Sequence, residues 1–382
     1  MTQGLKNRGR TRADMDERRQ AVEAFSGAKL TTIASCPYDP QLAEKNIENM
    51  IGTISIPVGF VGPLMVKGDS ADGEFLVPLA TTEGALLASV NRGCSVITAA
   101  GGAASVVVKD GMTRGPVFRV RDARHAIQAA NWMEENFDRI KAAAEATTSH
   151  GKLLSANPFV VGRSLFVRFT YSTGDAMGMN MATIASEAAA RLIEQETGAV
   201  LVSVSGNFCV DKKPSALTYI SGRGKIVLAD ITIPRSLLEK RMHTTPEAVV
   251  ETCFRKCNVG SSLSASLGSN AHIANMLAAV YIATGQDPAQ VAEGSMGTTT
   301  AEIVDGDLYF SVRLPAVEVG TVGGGTRLPA QAEALSMMDC LGKGKARKFA
   351  EIVGAVVLAG ELSTICAQDA GHLGAAHSRL GR

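Results

Sequence analysis

Glu83 is the first residue that stands out, a lone carboxylate between Ala80-Thr81-Thr82 and the almost wholly apolar run that ends at Gly101. Two readings are open. It is either a first-turn carboxylate favoured by a helix dipole, or a buried carboxyl with a raised pKa suited to donating a proton. Asp211-Lys212-Lys213-Pro214 follows Ser205-Gly206-Asn207-Phe208-Cys209. Adjacent lysines commonly mark a solvated turn, but an ammonium held beside a carboxylate stays charged and can polarise a carbonyl oxygen. His272 and Asn275 sit three apart in an apolar stretch and share a helical face, so both need partners if buried. Asp287 follows in Gly285-Gln286-Asp287, either as a turn carboxylate or as a second acid. His372 and His377 lie near the chain end, and either could act as a general acid only if the tail folds over a site.

Two glycine-rich stretches suit anions or close backbone approach. Gly174-Asp175-Ala176-Met177-Gly178-Met179-Asn180 precedes a helical pattern, and N–H groups at a helix start attract phosphate. Gly320-Thr321-Val322-Gly323-Gly324-Gly325-Thr326 lets a ligand approach the backbone. Neither follows the Rossmann plan, and Gly222-Arg223-Gly224-Lys225 lacks the Walker spacing. Cys253 and Cys257 are four apart with no second Cys or His cluster, so no metal site is expected.

The elements that would position these residues form a mixed α+β pattern rather than strict βαβ alternation. Residues 13–26 and 40–50 read as helices of a small N-terminal lobe, 1–50. Residues 51–63 read as a shaped loop, and 81–101 as a buried helix capped by Thr81 or Thr82. From 116 the texture changes: strand 116–121, one or two helices over 123–146, a strand pair at 152–154 and 164–171, helix 181–196, strand 199–205. That β-α-β-β-α-β order is the split βαβ or ferredoxin-like plan. It predicts a compact domain, 116–205, inserted between 51–115 and 206–382 of a larger one. In the larger part a hairpin is expected at 216–220 and 225–231, with helices at 246–257, 270–284 and 346–377. A strand is expected at 308–314.

With 38 Lys and Arg against 37 Asp and Glu among 382 residues, the chain has no global basic field for nucleic acid. Seven scattered cysteines suggest no disulfide framework and point to a reducing, cytoplasmic setting. No run reaches the roughly 18 uninterrupted apolar residues of a membrane helix, and the polar start is not a signal peptide.

Taken in order, these motifs resemble 3-hydroxy-3-methylglutaryl-coenzyme A (HMG-CoA) reductase, in its class I form. The likeness runs from about Ile47 to His377. It includes Glu48-Asn49-Met50-Ile51-Gly52, Pro57-Val58-Gly59, Gly62-Pro63-Leu64, Ala80 to Gly84, Asn91-Arg92-Gly93-Cys94 and the stretches above. Met179-Asn180 is the class I ending. The resemblance implies a soluble prokaryotic form without the family's membrane anchor, acting in isoprenoid biosynthesis through the mevalonate pathway. The implied reaction is the four-electron reduction of HMG-CoA to mevalonate and coenzyme A with two NADPH. Lys212 would hold the thioester carbonyl, Glu83 would donate a proton, Asp287 would set the protonation of both, and His377 would protonate the departing thiolate.

Arg114, Ser205, Lys213, Lys256 and Asn275 would bind the substrate's carboxylate and hydroxyl, with Ser89, Arg92 and His272 lining the same pocket. Asp175, Met177, Gly178, Met179, Asn180, Gly323 and Gly324 would contact the nicotinamide cofactor. The resemblance also implies a homodimer or dimer of dimers with the site between subunits. One departure concerns the cofactor: where many relatives carry an Arg, this chain has Thr148-Ser149-His150-Gly151-Lys152. Ser149, His150 and Lys152 remain to meet a 2′-phosphate, and NADH is the alternative. The other readings are an NADH-linked degradative reductase and a non-catalytic coenzyme A or nucleotide binder.

Overall fold

The computed structural model describes residues 9–369. Its strands are β1 Val58–Gly68, β2 Asp72–Ala80, β3 Ala103–Arg114, β4 Val117–Arg119, β5 Lys152–Val161, β6 Ser164–Ser172, β7 Val200–Ser203, β8 Gly224–Ile233, β9 Thr298–Val304 and β10 Asp307–Val317. One group runs β2-β1-β3-β8-β10-β9, with β1 and β3 the parallel pair. The other runs β7-β4-β6-β5 and is antiparallel throughout. The long strand β3 joins them: Ala104–Gly111 pairs with β8, and Met112–Arg114 pairs with β6.

Two apolar cores match the two groups. The smaller one gathers Phe118, Leu165, Phe169, Ile193 and their neighbours beneath the helices Ala123–Glu135, Phe137–Glu145 and Met179–Thr197. The larger one surrounds the helix Ala346–Asp369, whose residues 349–363 are all buried. By length and composition this helix could cross a membrane, but nearly all of its most apolar stretch is covered by the fold. Two carboxylates lie within it. Glu351 Oε2 accepts from the N–H groups of Ser70 and Ala71, at 2.8 and 2.7 Å. Glu361 accepts from the N–H groups of Ala271 and His272, both at 2.7 Å, and from Thr299 Oγ1. Burying a carboxylate is tolerable only when it is bonded in this way. The Glu361 bonds fix the chain where the helix Ile273–Thr284 begins.

Several sequence expectations give way to local capping. The expected strand 216–220 is a helix, Ala216–Ser221, because Ser215 Oγ accepts from the N–H groups of Leu217 and Thr218 and Gly222 closes the end at φ 78°. The helix expected at 40–50 is a single 3-10 turn, Pro40–Ala43, with Asp39 bonded to Gln41 N. The helix expected from residue 81 starts at Leu86, since Ala85 takes the left-handed conformation at φ 71°. By contrast, the one or two helices expected over 123–146 are two, Ala123–Glu135 and Phe137–Glu145, meeting at Asn136. The helix from Pro246 passes into a π-helical turn, Phe254–Gly260. Near the N-terminus, the helix Arg12–Ser26 has a capping box from Thr11 and Asp14 and rests on Met50 and Ala43 through Met15.

Candidate active site

Lys212 and Asp287 form the chemical centre of one cluster, with Nζ 2.8 Å from Oδ2. Asp287 caps the short turn Pro288–Gln290 through Oδ1, which accepts from Ala289 N, so its other oxygen faces the lysine. The bond to Asp287 raises the Lys212 pKa above its ordinary value, with partial burial working against it. The loop carrying Lys212 leaves β7 in an unusual backbone path: Asn207, Val210 and Lys212 all have φ near +60°. Non-glycine residues adopt that conformation only when their surroundings hold them there. Asp211 is anchored by Arg114, 3.7 Å away, and by the buried Arg223, 3.1 Å away. Lys213 donates its N–H to Glu293 and its ammonium to the Asp211 carbonyl. Ser205 Oγ lies 3.8 Å from Cys209 Sγ in the same loop.

A second cluster contains Glu83. It is exposed, lying before the helix Leu86–Ala99 in a turn closed by Thr81 Oγ1, which accepts from Glu83 N at 3.0 Å. Neither open reading of Glu83 holds: it is outside the helix and it is not buried within one chain. Its Oε1 accepts from Asn275 Nδ2 at 3.2 Å, and that amide also meets His272 Nδ1 at 3.2 Å. His272 Nε2 faces Gly360 O at 3.1 Å and Thr364 Oγ1 at 2.5 Å. Ser89 and Arg92 converge next door on Ser363, Ser89 through Oγ and Arg92 through Nε and Nη2. Burial pulls the Arg92 pKa down.

Among the described residues no hydrogen bond or ion pair joins the Lys212 cluster to the Glu83 cluster. Lys256, half-buried on the π-helical turn, bonds to neither. His377 lies outside the described residues.

Asp287 also lines a cavity of about 680 Å³, within the range of small-molecule sites. Its walls are Ala176–Met181, Gly285–Pro288 and the turn around Gly323–Thr326, with Lys45 and Asn46 at one side. Met177, Gly178, Met179, Asn180, Gly323 and Gly324 thus share one cavity. A Cβ built on Gly323 or Gly324 would meet no atom within 4 Å, so this wall is open. Gln286 pins the turn, donating to the Gly320 carbonyl and accepting the Gly320 N–H. The helix Met179–Thr197 starts at Gly178 with no side-chain cap, leaving its first N–H groups free of side-chain partners.

Asp175 and the Ser149–Lys152 stretch do not line this cavity. The Asp175 carboxylate accepts the N–H groups of Gly344 and Ala346, so it holds the start of the helix Ala346–Asp369 against the glycine-methionine loop. Lys152 bonds to Glu145 at 2.9 Å, and that bond holds the Glu145 carboxyl down at about 2. His150 and Ser149 are exposed on the same connection.

The residues that sequence reasoning passed over are Ser363, Thr364, Glu361 and Glu293, and Arg223 entered only as part of a stretch lacking the Walker spacing. Glu351 and Glu361 offered a signal, as two carboxylates ten apart in a long apolar run. Glu293 and Ser363 gave none, because their roles depend on chain segments far apart in sequence.

The family model described as hydroxymethylglutaryl-coenzyme A reductase matches residues 14–382. A 3-hydroxy-3-methylglutaryl-coenzyme A reductase of Haloferax volcanii is 54% identical over 372 residues, covering 96% of this chain and 92% of that protein. The Pyrococcus horikoshii protein of the same name is 51% identical, covering 98% and 93%. A class II reductase from Streptococcus pneumoniae, described as bound to NADPH in open conformations, shares the fold at a TM-score of 0.71 and 18% identity, covering 96% and 99% of the two chains. The ordered motifs, both clusters and these near full-length likenesses converge, and the chain belongs to the hydroxymethylglutaryl-coenzyme A reductase family.

Proposed function

We propose that this protein reduces HMG-CoA to mevalonate and coenzyme A at the expense of two NADPH, as a class I member of its family. The observation that carries this reading is Asp287, which lines the glycine- and methionine-rich cavity and holds the Lys212 ammonium 2.8 Å away. The cavity's volume, its open glycine wall and the uncapped helix start at Gly178 suit a dinucleotide with an anionic backbone. NADPH bound there supplies hydride. Met177–Asn180 and Gly323–Gly324 would hold the cofactor, with Ser149, His150 and Lys152 as the candidates for its 2′-phosphate.

The chain's own groups do the remaining work. The Lys212 ammonium donates to the thioester carbonyl oxygen and stabilises the oxyanion that forms as hydride reaches the carbon. That oxyanion collapses, the C–S bond breaks, and His377 protonates the departing thiolate. Lys212 then holds the aldehyde oxygen through the second hydride transfer, and Glu83 donates the proton that completes the alcohol. Asp287 keeps Lys212 charged throughout. Arg114, Ser205 and Lys213 would bind the substrate carboxylate and hydroxyl from the loop side, and Lys256, His272 and Asn275 from the other, with Ser89 and Arg92 alongside.

The two clusters are read as halves of one site completed by a second copy of the chain, making a homodimer the minimum unit. In support, Glu83 is exposed and its bonds run to Asn275 rather than to Lys212. The domain division, 116–205 for the cofactor within a larger substrate domain after an N-terminal lobe, agrees with the two apolar cores. The test is kcat/KM for HMG-CoA with NADPH and with NADH, followed by nicotinamide absorbance. Preference for NADPH is expected. A strong NADH preference would favour the degradative alternative, and no turnover with either would sink the reading.

A further inference from the structure

We infer that a buried ion network centred on Arg223 positions the Lys212 loop, and that Glu293 is the positioning residue through which it acts on the reaction proposed above. Arg223 is fully buried. Its Nη1 donates to Glu293 Oε1, to Glu318 Oε1 at 2.8 Å and to Gln290 Oε1 at 2.9 Å. Its Nη2 lies 3.1 Å from Asp211 Oδ1 and 2.9 Å from Met179 Sδ. Glu293, also fully buried, commits its second oxygen to the N–H of Lys213 at 3.0 Å. Gln290 Nε2 adds a bond to Asp211 Oδ1 at 3.2 Å.

The loop is therefore gripped on both sides of Lys212, by the side chain of residue 211 and by the backbone of residue 213. Lys212 between them sits at φ 59°, a conformation that needs such support. The same guanidinium touches Met179, so one buried cation ties the lysine loop to the cavity wall. Apolar residues would fill this space at less desolvation cost. The network's geometry thus serves placement of the loop rather than stability. Three carboxylates surround one guanidinium. Burial opposes the Arg223 charge, and Glu318, Glu293 and Asp211 together more than offset it. Burial, and then the neighbouring Glu293, pushes Glu318 well above the usual carboxylate range.

The test is Glu293→Gln in the full-length protein, which keeps the shape but turns an amide donor toward one of two existing donors. Hydrogen–deuterium exchange of the peptide 207–216 is expected to rise at least about ten-fold, with exchange elsewhere unchanged. kcat is expected to fall at least about ten-fold, while KM for NADPH stays within about two-fold. Exchange and kcat both within about two-fold of the unmodified protein would overturn the inference, as would faster exchange spread evenly over the chain. Should that variant not accumulate folded, Gln290→Met removes the bond to Asp211 and the one from Arg223 Nη1 while leaving both bonds of Glu293 in place. It is expected to raise exchange in the same peptide, and unchanged exchange there would be equally fatal. If the unmodified protein fails to turn over HMG-CoA, the proposed function falls, while the exchange result still decides whether Glu293 holds the loop.

Discussion

Lys212 keeps its charge because Asp287 accepts from it at 2.8 Å. The sign of the effect is definite. A lysine whose pKa is raised by folding contributes fully below its ordinary value of about 10.4, and loses that contribution only as the pH rises through the higher folded value. The ammonium is thus available to an oxyanion across the neutral range. Asp287→Asn should bring the midpoint of Lys212 down, as read by a ¹⁵N NMR titration of its Nζ; an unmoved midpoint would remove Asp287 as the cause. Both side chains are substantially exposed, at 45% and 30%, so the pair adds at most about 1 kcal/mol to stability.

Packing dominates at the scale of the elements. The helix Leu86–Ala99 crosses the buried helix Ala346–Asp369 at Gly93, where a Cβ would fall 2.0 Å from the Ala359 carbonyl oxygen. Gly93→Ala must force the helices apart, and overpacking of this kind costs about 1–3 kcal/mol. Urea denaturation should show the midpoint falling by a corresponding amount; an unchanged midpoint would contradict so close a crossing.

This crossing also explains what was legible. The helices 13–26, 181–196 and 246–257 announced themselves by apolar spacing and caps, and the long run after Ala346 by its composition. Strands β1, β2 and β9 did not, because glycines, prolines and threonines in them mask a two-residue alternation that only their sheet partners complete. The segment 216–220 misled because its threonine and isoleucine suit strands, whereas Ser215 and Gly222 set the outcome.

Across the whole molecule, the glycine-rich motifs and Asp287 line one cavity, and Asp287 ties Lys212 to it. Arg223 was visible in the sequence only as a failed phosphate loop, and Glu293 not at all, since nothing local to 293 reveals a bond to residue 213. The separation of the Glu83 and Lys212 clusters was equally illegible, because spacing in sequence says nothing about which chain completes a site. It leads to a definite expectation for mixed subunits. Glu83→Gln and Lys212→Ala should each lower turnover at least about a hundred-fold when alone. In a dimer whose sites pair Glu83 of one copy with Lys212 of the other, half of a randomly reassociated 1:1 mixture is mixed dimer, and each mixed dimer regains one intact site. The decisive measurement is therefore HMG-CoA turnover after the two inactive variants are unfolded, mixed and refolded together. About a quarter of the unmodified activity should return, and a mixture as inactive as its components would contradict the shared site.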